Sequence, residues 1–208
     1  MLSTVAFWFF REQATEVVAG DADQWDTRAL EAIRSRSSRR LDTAMEAATH
    51  LGSHTAIGTT AFLTAFTMMK RGQRDDAWTV LFSVGGAMVL NTALKMLFRR
   101  QRPQELARQI RLPRSHSFPS GHSLLSVVTY PIAAHHLVRS RSPVVQLTTQ
   151  MLAGAVIVTV GYSRVYFGVH FPSDVLGGFA AGLGWLGLTS LTHTIHQRER
   201  RRRHAIAK

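Results

Sequence analysis

Three short stretches hold the side chains able to do chemistry, and each borders an apolar run. The first is KMLFRRQRP, Lys95 to Pro103. Lys95 is the one formal charge between Ala77 and Phe98, and an ionisable group inside such a block is costly and marks a functional candidate. Lys95, Arg99 and Arg102 stand at i, i+4 and i+7, which predicts one basic helical face, and Pro103 predicts a turn just beyond it. A basic stripe ending at a membrane surface is suited to gripping phosphate oxygens. The alternative is a lysine that snorkels to the interface.

The second stretch is SFPSGHS, Ser117 to Ser123, which runs into LLSVVTYPIAAHHLV. Ser120 suits the N-cap of a helix, and Gly121 lets a ligand come close to the backbone. The unpaired N–H groups of a helix start bind anions, and His122 in that first turn is placed to donate a proton to a bound group. The alternative is a capped helix with an incidental histidine.

The third stretch is SRVYFGVHFPSD, Ser163 to Asp174. His170 and Asp174 are four apart, and Pro172 suits the first turn of a helix. In that geometry Asp174 accepts the N–H of His170, fixes its tautomer and leaves the other ring nitrogen free to attack. Arg164 adds a planar donor fork for phosphate oxygens. Alternatively, Asp174 is only a helix N-terminal carboxylate with a histidine beside it.

The elements that must position these residues follow from charge-free blocks. Leu51–Met69, Ala77–Leu94, Ser115–Val138, Pro143–Ser163 and Val175–Ile195 contain no Asp, Glu, Lys or Arg. Each has about the length a helix needs to cross a hydrocarbon core. The fold class expected is therefore an all-α integral membrane bundle of five to six transmembrane helices, with an N-terminal interfacial helix. The opening MLSTVAFWFF is too short to span alone, which leaves a stunted first helix or a natural start elsewhere. It has neither the basic leader nor the small-residue cleavage site of a signal peptide. Residues 20–50 place apolar side chains at helical spacing among charges, the pattern of a helix lying in the interface, with Trp25 at headgroup level.

The formal net charge of +12 sits in runs between the apolar blocks, so membrane topology explains it better than nucleic acid. KRGQRDD (70–76), RSRS (139–142) and the tail from Gln197 fall on one side if five helices alternate, and the positive-inside rule makes that side cytoplasmic. The opposite side then carries Arg99, Arg100, Arg102, Arg108, Arg111 and Arg114 against the rule. An anionic substrate on that face accounts for the exception; binding of lipid headgroups is the alternative. All three chemical stretches share that face. Without cysteine there are no disulfides or thiolate metal sites.

Lys95-x6-Arg102-Pro103, Pro119-Ser120-Gly121-His122 and Ser163-Arg164-x5-His170-x3-Asp174 together resemble the three-part signature of the type 2 phosphatidic acid phosphatase superfamily. Every signature position is present, in order, over roughly residues 50–195. Membrane members commonly have six helices, so the short first helix is the departure. The resemblance implies that His170 is a nucleophile forming a phosphohistidine and that Asp174 orients it. His122 then protonates the leaving oxygen and afterwards activates water. Lys95, Arg102, Arg164, Ser120 and the Gly121 amide hold the phosphoryl oxygens; Arg99 and Arg100 are not required by the signature. Fixed positive charge supplies the stabilisation, so no metal or other cofactor is expected, and no carboxylate cluster suited to Mg²⁺ lies near the motifs.

The remaining candidates read as structural. His50 and His54 have metal spacing but no third ligand nearby. His135 and His136 lie toward the other end of their helix, and Gly178-x3-Gly182 suits tight helix packing.

The expectation is one membrane phosphatase domain over 1–208: an N-terminal apolar segment and interfacial helix (1–50), a transmembrane catalytic core (51–195) and a basic cytoplasmic tail (196–208). It would sit in the cell (inner) membrane with its site on the extracytoplasmic side. The expected substrates are lipid phosphates or pyrophosphates: phosphatidic acid, phosphatidylglycerol phosphate or polyprenyl pyrophosphate. A lipid phosphotransferase using the same site and a non-catalytic lipid-phosphate-binding membrane protein are the alternatives. Vanadium haloperoxidases and soluble acid phosphatases also resemble the signature, but five spanning blocks argue against a soluble protein.

Overall fold

The computed structural model describes residues 2–107 and 114–206, so Arg108 and Arg111 lie outside the described residues. Among the described residues the regular structure is helical. The chain runs α1 (Leu2–Ala19), α2 (Ala22–Arg34), α3 (Arg39–Leu51), α4 (His54–Lys70), α5 (Arg74–Phe98), α6 (Gly121–Val138), α7 (Pro143–Tyr166) and α8 (Pro172–Ile206). A 3-10 turn, Gln104–Leu106, lies in the connection from α5 to α6.

Serines start three of these helices. The hydroxyls of Ser38, Ser53 and Ser142 accept from the N–H groups of Leu41, Ala56 and Val145, satisfying donors that a helix start leaves unpaired. Pro143 follows Ser142 at the first helical position, where its missing N–H costs nothing. Gly72 and Gly168 turn the chain between α4 and α5 and between α7 and α8, at φ of 75° and 63°, where a side chain would be strained.

The packing is that of a membrane bundle. Small and branched residues face inward: Ala61 and Ala65 of α4, Ala77, Val84 and Ala87 of α5, and Leu124 and Val128 of α6 form one buried cluster with Ala181 of α8. Large apolar residues face outward, Phe82 and Leu97 on α5 at 71% exposure and Val144 on α7 at 73%. Such exposure is tolerable in lipid and marks an interaction surface in water. By length and composition α5, α7 and the Pro172–Glu199 part of α8 are each long and apolar enough to cross a membrane. Gly178 and Gly182 bring α8 onto the start of α6. A Cβ at Gly178 would stand 2.6 Å from the Ser120 carbonyl oxygen, and one at Gly182 2.8 Å from that of Leu124. This is close helix contact through small residues, as the spacing suggested.

Three features of the N-terminal and α5 regions differ from the sequence expectation. The helix that begins in the first apolar stretch runs on through Arg11, Glu12 and Glu16 as the 18-residue α1, which packs along α8 and stacks Phe10 on Phe118 at 5.8 Å between centroids. Residues 20–50 form two helices, because Ser38 adopts extended backbone and caps a new start. The basic face through Lys95, Arg99 and Arg102 does not form. Arg99 takes the left-handed conformation at φ 50° and its N–H closes on the Lys95 carbonyl, ending α5. Its side chain then turns back to the Met96 carbonyl at 3.0 Å, and Arg102 lies beyond the helix.

Candidate active site

The end of α5, the start of α6, the end of α7 and the start of α8 meet at one end of the bundle. They enclose a cavity of about 450 Å³ lined by Lys95, Arg102, Gly121, His122, Arg164 and His170, together with His54, Asn91 and Arg114. Six of the eight residues singled out by their motifs thus face one space. The other two, Asp174 and Ser120, are fully buried behind it.

His170 follows α7 by a tight turn: Gly168 at positive φ folds the chain so that the His170 N–H reaches the Arg164 carbonyl at 3.3 Å. Pro172 then starts α8 and Asp174 falls in its first turn. The side chains meet as the i, i+4 spacing requires, with Nδ1 of His170 3.3 Å from Oδ2 of Asp174. On the far edge of the ring, Arg102 places a terminal guanidinium nitrogen 3.1 Å from Nε2. Arginine can only donate, so Nε2 carries the lone pair and Nδ1 the proton. Burial holds the imidazole down to about 3, against the opposing hydrogen bond and charge of Asp174. His170 is therefore a neutral, oriented base whose Nε2 lone pair, accepting from Arg102, faces a cationic cavity.

Asp174 is held on every side. Its Oδ2 accepts the Ser117 hydroxyl and the Phe171 N–H (2.9 Å), and its Oδ1 accepts Arg100 at 2.9 Å. Ser117 also lies 3.3 Å from Nδ1 of His170, so its oxygen shares that ring proton with Asp174.

The cations are tied to the backbone more than to carboxylates. Lys95 donates to the carbonyls of His116 (2.5 Å) and Ser117 (3.1 Å). Arg102 donates to the carbonyls of Val169 (2.6 Å), Ser115 (2.8 Å) and His116 (3.2 Å). Burial lowers the Arg102 guanidinium from its ordinary value, and the Asp174 charge opposes that. Arg164 hydrogen-bonds the Thr49 hydroxyl, and its buried Nε has no partner among the described residues. Positive charge fixed by carbonyls retains its attraction for an incoming anion, unlike charge already paired with an acid.

At the start of α6, Ser120 occupies the N-cap position but its hydroxyl accepts from Ser123 (3.1 Å) and caps no N–H. Its own N–H donates to the Asp174 carbonyl at 2.9 Å, joining α6 to α8. Gly121 leaves room for Asn91, whose side chain a Cβ would meet at 2.9 Å. His122 packs over Gly52, where a Cβ would stand 2.7 Å from its Cδ2.

Several contributors were not assigned a place in the site by the sequence. Ser117, Arg100, Asp26 and Thr49 reach the site from segments that are remote in the chain. His54, whose spacing from His50 suggested only a metal ligand, lines the cavity. His135 and His136 lie at the opposite end, in a separate hollow of about 490 Å³ with Asp76, Arg139 and His193.

Comparison with known proteins gives a consistent assignment. Over 146 residues the chain is 37% identical to phosphatidylglycerophosphatase B of Bacillus subtilis (strain 168), covering 69% of this chain and 70% of that one. It is 29% identical over 137 residues to undecaprenyl-diphosphatase of Sulfolobus acidocaldarius, covering 62% and 60%. The crystal structure of a transmembrane PAP2 type phosphatidylglycerolphosphate phosphatase from Bacillus subtilis superposes with a TM-score of 0.83 at 31% identity, over 91% of this chain and 94% of that one. The family model of the PAP2 superfamily matches residues 76–199, which hold all three motifs. The chain belongs to the PAP2 superfamily.

Proposed function

We propose that this protein is an integral membrane phosphatase that removes the terminal phosphate from a lipid phosphate or pyrophosphate through a phosphohistidine on His170. The observation that carries the reading is the setting of His170: Nε2 beside Arg102 at the cavity, Nδ1 against the buried Asp174. The names of two relatives, phosphatidylglycerophosphatase B and undecaprenyl-diphosphatase, support a lipid-linked substrate; phosphatidic acid, phosphatidylglycerol phosphate and polyprenyl pyrophosphate are the candidates.

The chemistry follows from the placement. Lys95, Arg102 and Arg164 draw the phosphoryl group into the cavity, where the amide of Gly121 at the start of α6 adds a donor. Nε2 of His170 attacks phosphorus and the bond to the leaving oxygen breaks, with His122 giving that oxygen a proton. The Nδ1 proton stays between His170 and Asp174, whose charge offsets the positive charge developing on the ring. Water then gives a proton to His122 and attacks phosphorus, the N–P bond breaks, and His170 returns to its starting state. Throughout, three fixed cations face the transferring oxygens, and preorganised charge of this kind does most to lower the barrier to phosphoryl transfer. Ser120 supports this from behind the cavity, through its link to the Asp174 carbonyl.

The same reading sets the chain in the membrane as one domain. Helices α4 to α8 span in alternation, placing the connectors at 71–73 and 139–142 and the basic tail in the cytoplasm and the cavity on the extracytoplasmic face. At 17 residues α4 is about 26 Å long, enough for a locally thin or packed span. Helices α2 and α3 lie along the interface, with Trp25 exposed at headgroup depth.

The test is phosphate release from a panel of lipid phosphates and pyrophosphates in detergent with excess EDTA, comparing wild type with His170→Ala. Metal-independent release that the substitution abolishes supports the reading. Full release by a folded His170→Ala protein contradicts it.

A further inference from the structure

We propose that Asp26 and Arg100 are positioning residues of this site, so that the N-terminal helix α2 takes part in building it. The inference rests on the reading of His170 as the nucleophile.

Asp26 sits on an otherwise amphipathic helix yet is fully buried. Both of its oxygens are engaged: Oδ1 accepts the Ser173 N–H at 2.9 Å, and Oδ2 accepts Arg100 at 2.8 Å together with the Ser173 hydroxyl. The other terminal nitrogen of Arg100 donates to Asp174 Oδ1 at 2.9 Å and to Ser173 Oγ at 2.7 Å. The face of the guanidinium covers the Phe171 ring, 4.3 Å from its centroid. One planar fork thus bridges two buried carboxylates, on α2 and α8, that would repel each other without it.

This arrangement has a consequence at the ring. Asp174 meets His170 through Oδ2, and rotation of the carboxylate would take that oxygen away from Nδ1. Arg100 prevents the rotation by occupying Oδ1, and Asp26 keeps Arg100 in the plane needed to do so. Asp26 also takes up the N–H of Ser173, immediately before Asp174, which fixes the first turn of α8. Neither residue lines the cavity that holds His170, so their effect passes through Asp174 and not through the substrate.

The experiment uses the full chain in detergent with phosphatidic acid micelles as the probe, scoring only protein that elutes as a single folded species. Asp26→Asn keeps an acceptor for the Ser173 N–H and removes the charge facing Arg100. It and Arg100→Lys should each lower kcat by about tenfold or more while KM moves by less than about threefold. The double variant should be no worse than the poorer single, since both act through one carboxylate. Arg100→Ala should recover part of its kcat when guanidinium is added, and none with an alkylammonium ion of similar charge. A merely structural role would lower thermal stability without that rescue. Should Asp26→Asn not fold, the guanidinium arm decides alone. An inactive His170→Ala beside folded Asp26 and Arg100 variants with kcat within about twofold of wild type overturns this inference and leaves the nucleophile standing. Wild-type turnover by His170→Ala overturns the nucleophile and this inference with it.

Discussion

A terminal guanidinium nitrogen of Arg102 stands 3.1 Å from Nε2 of His170, on the ring edge opposite Asp174. A donor this close to the Nε2 lone pair is also beside the oxygens of any phosphoryl group that the lone pair reaches. Three carbonyls, from Ser115, His116 and Val169, hold the guanidinium in that position.

Arg102→Lys tests whether the fork matters beyond its charge. A lysine keeps the cation and cannot hold the carbonyls and face Nε2 together. Phosphate release should fall by on the order of 10²–10³ in kcat, the loss typical of removing one preorganised donor. Steady-state kinetics check this, and near wild-type kcat would mean that the charge suffices and the fork is dispensable to turnover.

The neutrality of His170 has a pH signature in stability. Its folded value of about 3 lies below the ordinary 6.5, so the unfolded chain takes up the proton first on acidification. The stability gained by burying the neutral ring is complete above 6.5 and is lost as the pH falls toward 3. Thermal unfolding in detergent should weaken across that window, and less steeply in His170→Gln, which has no proton to take up. Identical slopes would assign the acid sensitivity to other groups.

Gly178→Ala tests the joint between α6 and α8. The added Cβ would lie 2.6 Å from the Ser120 carbonyl oxygen, a backbone atom that cannot swing aside. Destabilisation of about 1–3 kcal/mol is expected, with loss of activity because Ser120 links to Asp174 across the same joint. Gly154→Ala on α7, where nothing lies within 4 Å, is the control and should leave the rate unchanged and the melting temperature no lower, since Ala favours the helix.

Within a single motif, the sequence was a reliable guide because the contacts are local. His170 and Asp174 meet across one helical turn, Pro172 starts α8, and Gly178 and Gly182 pack α8 on α6. Three of the five charge-free blocks likewise marked helices long and apolar enough to cross a membrane, since a charge facing lipid is costly; α4 and α6, which hold the other two, do not reach that measure. Spacing misled where backbone conformation changed within the pattern. Lys95, Arg99 and Arg102 have helical spacing, but Arg99 leaves the helix in the left-handed region and only the outer two reach the cavity. The bridge from Asp26 through Arg100 to Asp174 was illegible for a different reason. Its members are 74 residues apart at each link, and no local periodicity reports which buried acid a distant arginine will meet.

The measurement closest to the central claim is rapid quenching of turnover on a lipid phosphate labelled with ³²P in its terminal group. The account predicts label on the wild-type protein that is lost in acid, survives base and maps to the peptide containing His170. It predicts none in folded His170→Ala, together with no phosphate release. Label on another residue, or undiminished release from His170→Ala, would contradict it.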